Sequence, residues 1–249
     1  MERNKWRNNF ERKKVGRPPK DPRKMLEGIL FVLRTGCPWN ALPEKYGKPS
    51  TVHGTLMRWA RNGIFEKILQ ISVEIAMECL GPIKCFLTDA SSSKAPFANF
   101  GGKNPTDRAK QGIKKSLVID YNRIILSVIV DAANVHDSKL LLPHAKMLCK
   151  FVSPKKAISM LADAAFDVEF LRRELVKHNI VLLASSNLRR SRNRTPYKSH
   201  GRWRIEQVFG ILHWFRGIKT CWAKTKISFL AFCQFASAMH NFRCSGIFG

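Results

Sequence analysis

Three carboxylates in this chain are of a type and placement that could hold metal against phosphate. Glu206 is the only acid between Leu175 and Gly249, a stretch with thirteen Lys and Arg residues. A surface this basic suits a polyanion, and phosphate is the usual one. The lone acid reads in two ways: as a charge partner for Arg202, one helical turn earlier, or as an oxygen ligand for a hard cation placed where a phosphodiester arrives. Asp89 follows the apolar run Cys85-Phe86-Leu87-Thr88, and Asp163 follows Ile158 to Ala162. Each reads as the residue just past a short buried strand, and in α/β sheets sites form where strand ends meet a crevice. Asp at such a position is also a routine cap or turn residue. Two such Asp and a Glu on a late helix can cage two divalent ions, the arrangement that activates a hydroxyl and stabilises the leaving oxygen in phosphoryl transfer. Asp107, Asp120, Asp131 and Asp137 compete as ligands, but Asp120 adjoins a predicted turn and Asp137 reads as a helix cap.

The elements that must position these groups follow from pattern. Asp21 and Pro22 form an N-cap and N1 pair, and Met25, Leu26, Ile29, Leu30 and Leu33 recur at helical spacing until Gly36. A short helix is expected over Trp39 to Tyr46. A third, capped by Ser50 and ended by Gly63, carries Val52, Leu56 and Trp59 beside Arg58 and Arg61. Three short helices with a glycine-marked turn read as a helix-turn-helix unit or as a plain helical bundle, and the basic balance favours DNA. A fourth helix spans Ile64 to Cys79. After Lys84 the period shortens. Strands are expected at Cys85–Thr88, Lys115–Asp120, Arg123–Val130, Ile158–Ala162 and Ile180–Ala184, with Tyr121-Asn122 as a hairpin turn. Helices follow Asp137 and run through Phe170, Leu171 and Leu175, and two more close the chain. That order gives an α/β fold, a mixed sheet with flanking helices, preceded by a small all-α unit. The division is residues 1–80, a basic arm plus helical DNA-binding domain, and residues 81–249, a catalytic domain with a basic loop near 185–200.

Composition narrows the partner. The 249 residues carry 44 Lys and Arg against 18 Asp and Glu, a formal charge of +26 that repels itself without a polyanion. An apolar share of 45% supports a real core. No apolar run is long enough to span a bilayer, and the polar N-terminus does not read as a signal peptide. Seven scattered cysteines without C-x-x-C fit reduced thiols in a cytoplasmic protein. The candidate DNA contacts are Arg17 and Lys20 in the arm, Arg58 and Arg61, the loop residues Arg189, Arg190, Arg192 and Arg194, and Arg202. Gly16-Arg17-Pro18 resembles a minor-groove arm and also reads as a plain basic linker. Trp203, Trp214 and Trp222 are either stacking surfaces for a flipped base or, as is usual for Trp on an amphipathic helix, partly buried packing residues.

Several blocks occur in order: GRPPKDPRKMLEGILFVLRTGCPWNALPEKYG, STVHGTLMRWARNGIFEKIL, NPTDRAKQGIKKSLVID, NVHDSKLL, LADAAFD and RWRIEQVFGILHWFRG. Over nearly the whole chain they resemble bacterial DDE transposases of the insertion-sequence-five group. The resemblance implies a ribonuclease-H-like catalytic fold and a Mg²⁺-dependent triad, with two ions and Mn²⁺ as a substitute. It also implies cutting and insertion at element ends. It places the triad, catalytic and metal-binding, at Asp89, Asp163 and Glu206, and matches Arg202 to the Arg of the R-x-x-x-E signature. Two supporting positions depart, with Ser199 where the signature has Tyr and His213 where it has Lys, and the lead-in before GRPPK is a short basic stretch. The block Asn134-Val135-His136-Asp137 reads as a structural loop near the site. The expected partners are duplex DNA, as terminal inverted repeats and target, and further copies of the chain on it. No membrane is expected, and the place is a bacterial cytoplasm at the nucleoid. The alternative function is a DNA-binding derivative that represses transposition or does not cut.

Overall fold

The computed structural model describes residues 20–152, 156–185 and 201–247. Most of the basic arm, with Arg17, lies outside them, as do Arg189, Arg190, Arg192 and Arg194 of the basic loop.

Helix α1 (Pro22–Thr35) begins as its sequence dictates: the Asp21 carboxylate accepts from the Arg23 N–H at 3.0 Å and Pro22 sits in the first turn. Gly36 ends it in the left-handed conformation, φ 66°, with its N–H on the Val32 carbonyl. In place of one short helix, two 3₁₀ turns follow, Trp39–Ala41 and Glu44–Tyr46. Pro38 and Pro43 precede the two turns, and a proline cannot continue a helix through its own position. Helix α2 (Pro49–Arg61) starts at Pro49, with Lys48 at the cap position and no side-chain cap bond. Ser50 is therefore inside the first turn and not the cap. Helix α3 (Ile64–Leu80) completes the unit.

The sheet comprises β1 (Cys85–Lys94), β2 (Gly102–Lys103), β3 (Gln111–Asp120), β4 (Ile125–Ala132), β5 (Ile158–Ala162) and β6 (Ile180–Ala184). Its order is β4-β3-β1-β5-β6, and the two-residue β2 also pairs with β3, beyond β4 on the same edge. β1, β3 and β4 are antiparallel to one another, whereas β5 and β6 run parallel to β1. This is the mixed sheet with flanking helices expected. β1 is longer than its apolar run: it continues through Ser91-Ser92-Ser93, paired with Lys115, Lys114 and Ile113. Asp89 thus lies inside a strand and not past its end. Serine has little strand preference of its own, and the non-local partner overrides it. Helices α4 (Asp137–Leu148) and α5 (Glu169–Val176) follow β4 and β5. His136, not Asp137, caps α4, its ring nitrogen accepting from the Ser138 N–H. The chain closes with α6 (Trp203–Leu212), the single turn α7 (Arg216–Lys219) and α8 (Lys226–Cys244).

Strand alternation sorts the core onto two faces. Phe86 and Val118 pack with Leu141, Ala145, Leu171 and Leu175 of α4 and α5. Leu87, Leu117 and Ile119 pack with α6, α8 and the N-terminal helices. The first eighty residues share this second core with the C-terminus: Phe65 of α3 meets Phe235 of α8 at 5.6 Å between ring centroids. Asn241 of α8 donates to Ser72 of α3 and to the Ile125 carbonyl, and accepts from the Ile125 N–H. The end of α1 lies tight on α7. A side-chain carbon at Gly217 would come within 3.0 Å of the Leu33 carbonyl oxygen. Among the described residues no helix is long and apolar enough to cross a membrane. All seven cysteines are free thiols.

Candidate active site

Strand register brings the two aspartates together. β1 and β5 pair in parallel up to Leu87 opposite Leu161. Asp89 and Asp163 each come two residues later, so they stand abreast at the fork where the strands part. β5 ends at Ala162, while β1 runs on paired with β3, its other edge open until Lys94 bridges Thr220. Arg202, at the start of α6, closes the fork: Nη2 donates to Asp89 Oδ2 and Nη1 to Asp163 Oδ1, each at 2.9 Å. The other Asp89 oxygen accepts from the Ala90 N–H at 2.8 Å. Burial raises the Asp89 pKa. The Ala90 N–H and Arg202 pull it back, and the neighbouring Asp163 adds to the rise. The Arg202 Nε is buried without a hydrogen-bond partner.

Glu206 lies one turn further along α6, exposed, and its side chain makes no ion pair or hydrogen bond among the described residues. Arg202 is committed to the two aspartates, not to Glu206. Among the described residues no three His, Cys, Asp or Glu side chains are grouped to hold one metal ion. The structure therefore gathers Asp89, Asp163 and Arg202, and leaves Glu206 outside. The donor chemistry nevertheless fits a hard cation, because two carboxylates converge on one positive charge, here a guanidinium standing where an ion would neutralise both.

Of the expected DNA contacts, Lys20, Arg58 and Arg61 are exposed, the last two in the final turn of α2. Three of the four competing aspartates are used elsewhere, and the fourth, Asp107, lies beside the open edge of β1 with Ala90 to Lys94. Asp120 pairs with Phe86, three residues short of Asp89, and accepts from the Ile124 N–H at 2.7 Å; burial pushes its pKa up to about 6. Asp131 meets Lys226 at 2.9 Å. Asp137 lies 2.6 Å from the Lys114 ammonium, a charge contact without hydrogen-bond geometry, while Lys114 donates to the Val135 carbonyl. The Asn134–Asp137 loop is thus anchored to β3.

Two features escaped sequence reading, and a third goes against the packing expected of the tryptophans. Lys115 is buried with no carboxylate partner among the described residues: its ammonium meets Ser93 Oγ at 2.6 Å and His213 Nε2 at 3.1 Å. Burial lowers its pKa to about 8, and burial with Lys115 and Lys219 nearby lowers that of His213 to about 4. The signal was the pair Lys114-Lys115 within a strand, since neighbours point to opposite faces and one must turn inward. Next, a trough leaves Asp89 along the open edge of β1. Its first part, about 690 Å³, is lined by Ala90 to Lys94, and its second, about 600 Å³, by Trp214, Arg216 and Trp222; His213, Lys219 and Thr220 line both. Finally, Trp203, Trp214 and Trp222 are 56%, 76% and 54% exposed, which overturns the expectation of partly buried packing. Helix α6 ends at Leu212, so Trp214 and Trp222 are not on the amphipathic helix that was to cover them.

The family described as "Transposase DDE domain" matches residues 80–241, and "Putative transposase of IS4/5 family" matches residues 5–69. The chain is similar to a putative transposase for insertion sequence element IS402 from Burkholderia cepacia, 32% identical over 127 residues, 47% of this chain and 57% of that one. It therefore spans little more than half the length of that relative. Similar solved structures include a piggyBac transposase synaptic complex with hairpin DNA, at 12% identity and a TM-score of 0.40 over 95% of this chain and 70% of that one. A Mos1 mariner paired end complex with Mn has 11% identity and a TM-score of 0.30, over 96% and 82%.

Proposed function

The chain belongs to the transposases with a DDE domain, of the IS4/5 type, and from that membership we propose that it cuts DNA at the ends of an insertion element and joins those ends to a target. The observation that carries the reading is the fork: Asp89 and Asp163, 74 positions apart in sequence, meet on one positive charge, next to a trough that begins at Ala90. Asp89, Asp163 and Glu206 are the residues that would hold divalent metal, two Mg²⁺ with Mn²⁺ as substitute. When bound, the ions supply charge stabilisation to the attacking and leaving oxygens of phosphoryl transfer. For that, Arg202 must leave the two carboxylates. It is four residues before Glu206 on one helix face, so the movement that frees the fork also acts on the third acid. Released, the guanidinium is free to bind phosphate. The exposed Arg58, Arg61 and Lys20, with the arm and basic loop, supply sequence-independent affinity for duplex DNA. The enzyme works as a homo-oligomer on that DNA, at the nucleoid of a bacterial cytoplasm.

One observation favours a second reading, a DNA-binding relative that does not cut: Arg202 fills the fork while Glu206 stands apart. Cleavage of DNA carrying the element's ends, with Mg²⁺ or Mn²⁺, decides between them. The reading expects cutting by the native chain, its loss in Asp89→Asn, Asp163→Asn and Glu206→Gln, and retained DNA binding in all three. An amide keeps the shape but removes the charge that a divalent ion needs. Near-normal cutting by folded Glu206→Gln would sink the triad, and a native chain that binds but never cuts would establish the second reading.

A further inference from the structure

The trough beyond Asp89 has a built character that catalytic carboxylates alone do not need. Its walls carry Lys94, Arg216 and Lys219, all exposed and without ion-pair partners among the described residues, against two carboxylates in the first part, Asp107 and the Lys114-paired Asp137. At its far end Trp214 and Trp222 present their rings to solvent, and Trp222 lies 5.9 Å from the ring of Phe97, itself 59% exposed. Large aromatic faces are rarely left open without a partner to cover them. Basic groups spaced along a groove, with aromatic faces beside them, are what a nucleic-acid strand uses: phosphates on the cations, bases on the rings. A duplex cannot use this end of the trough, because its bases are stacked on each other and offer only edges to the grooves. A compartment of about 600 Å³ is the size of pockets that take one small molecule.

We propose that this trough holds a short unpaired DNA strand leading away from Asp89, its phosphates along Lys94, Lys219 and Arg216 and an unstacked base on Trp214 and Trp222. The occupant rests on the DNA-cutting reading above, since the strand is the one that passes the carboxylates. His213 sits at the junction of the two compartments. Its Nε2 faces the Lys115 ammonium, so the ring is held as a neutral wall rather than a third cation.

The test measures binding without cleavage, so it stands apart from the catalytic one. Full-length protein in EDTA is titrated against a fluorescent twelve-nucleotide oligothymidylate and, separately, a twelve-base-pair duplex. Trp214→Ala and Trp222→Ala should each weaken the single strand by about 5- to 150-fold, the range for loss of one base stack, and leave the duplex within about twofold. Trp222→Phe, which keeps a ring, should retain most single-strand affinity. Unchanged single-strand binding in both alanine variants overturns the proposal, as does an equal loss on both probes. If the alanine variants instead lose self-association in sedimentation while binding the oligothymidylate normally, the rings are a contact between copies and the proposal falls. Asp89→Asn should bind the oligothymidylate at least as well as the native chain. Should Asp89→Asn still cut DNA, the catalytic assignment fails while this binding result stands.

Discussion

Replacing Lys115 with methionine removes a buried ammonium and keeps an unbranched side chain of similar length. The native lysine has a pKa lowered from 10.5 to about 8 because it is buried against β1 and the end of α6 with no carboxylate partner among the described residues, the nearby Cys233 and Cys221 thiols only partly offsetting the burial. Below pH 8 the lysine is charged in both folded and unfolded chains, so the folded state bears the full cost of burying the charge. As pH rises the folded chain loses its proton first, the unfolded chain binds more protons, and native stability climbs relative to the variant. The gap of about 2.5 pKa units corresponds to about 3 kcal/mol, fully recovered above pH 10.5 and lost as pH falls through 8. By pH 9 about 1 kcal/mol should already have returned. Cys221 and Cys233 act in the opposite sense above pH 9, since burial raises both thiols to about 12; the Lys115 charge pulls both down, so removing it changes them as well and the difference is read chiefly between pH 7 and 9. Urea unfolding of native and Lys115→Met protein at pH 7, 8, 9 and 9.5 reads this directly. A stability difference that stays flat across that range would refute the buried, unpaired ammonium.

Arg202→Ala should tighten Mn²⁺ binding by the DNA-free protein, followed by electron paramagnetic resonance, because the fork loses the cation that now neutralises it; unchanged affinity would mean that Asp89 and Asp163 do not hold the ion. Asp120→Asn should leave DNA cutting intact, as Asp120 lies three residues from the level of Asp89. Its raised pKa, about 6 against 3.8, favours the fold below pH 3.8 and the gain is lost as pH rises through 6, so the variant should gain up to about 3 kcal/mol over native at pH 7 and lose that lead toward pH 4. Phe235→Ala should cost about 3–5 kcal/mol and keep a single urea transition when fluorescence and circular dichroism are compared. Two separated transitions would show that the N-terminal helices and the sheet are independent.

Local pattern was enough wherever an element answers to its own residues. Asp21-Pro22 and Gly36 bound α1, and the apolar runs at Ile158–Ala162 and Ile180–Ala184 are the strands observed. Legibility fails where the partner is distant. Asp89 is mid-strand because β3 supplies pairing for residues 91–94, which no local feature of three serines announces. Arg202 finds its partners 39 and 113 positions away, whereas sequence spacing offers only Glu206. His136 takes the cap from Asp137 because its ring nitrogen reaches the Ser138 N–H, a choice set by loop geometry. The exposure of Trp214 and Trp222 follows from where α6 stops, a helix end that no capping residue marks.

The pairing of α3 with α8 also sets a timetable for synthesis. Ser72 and Asn241, bonded across a buried seam, are 169 residues apart. At roughly 5–20 residues per second, a ribosome needs on the order of 10–30 s to carry the chain from the end of α3 through α8. Throughout that interval the apolar faces of α1 to α3 have no permanent cover, while Arg58 and Arg61 are already displayed on α2. A nascent chain is then basic, sticky and incomplete, the condition in which chaperone binding and misassembly compete with folding. A product cut short before residue 226 never acquires its cover, so truncated copies should be cleared rather than accumulate as competitors on DNA.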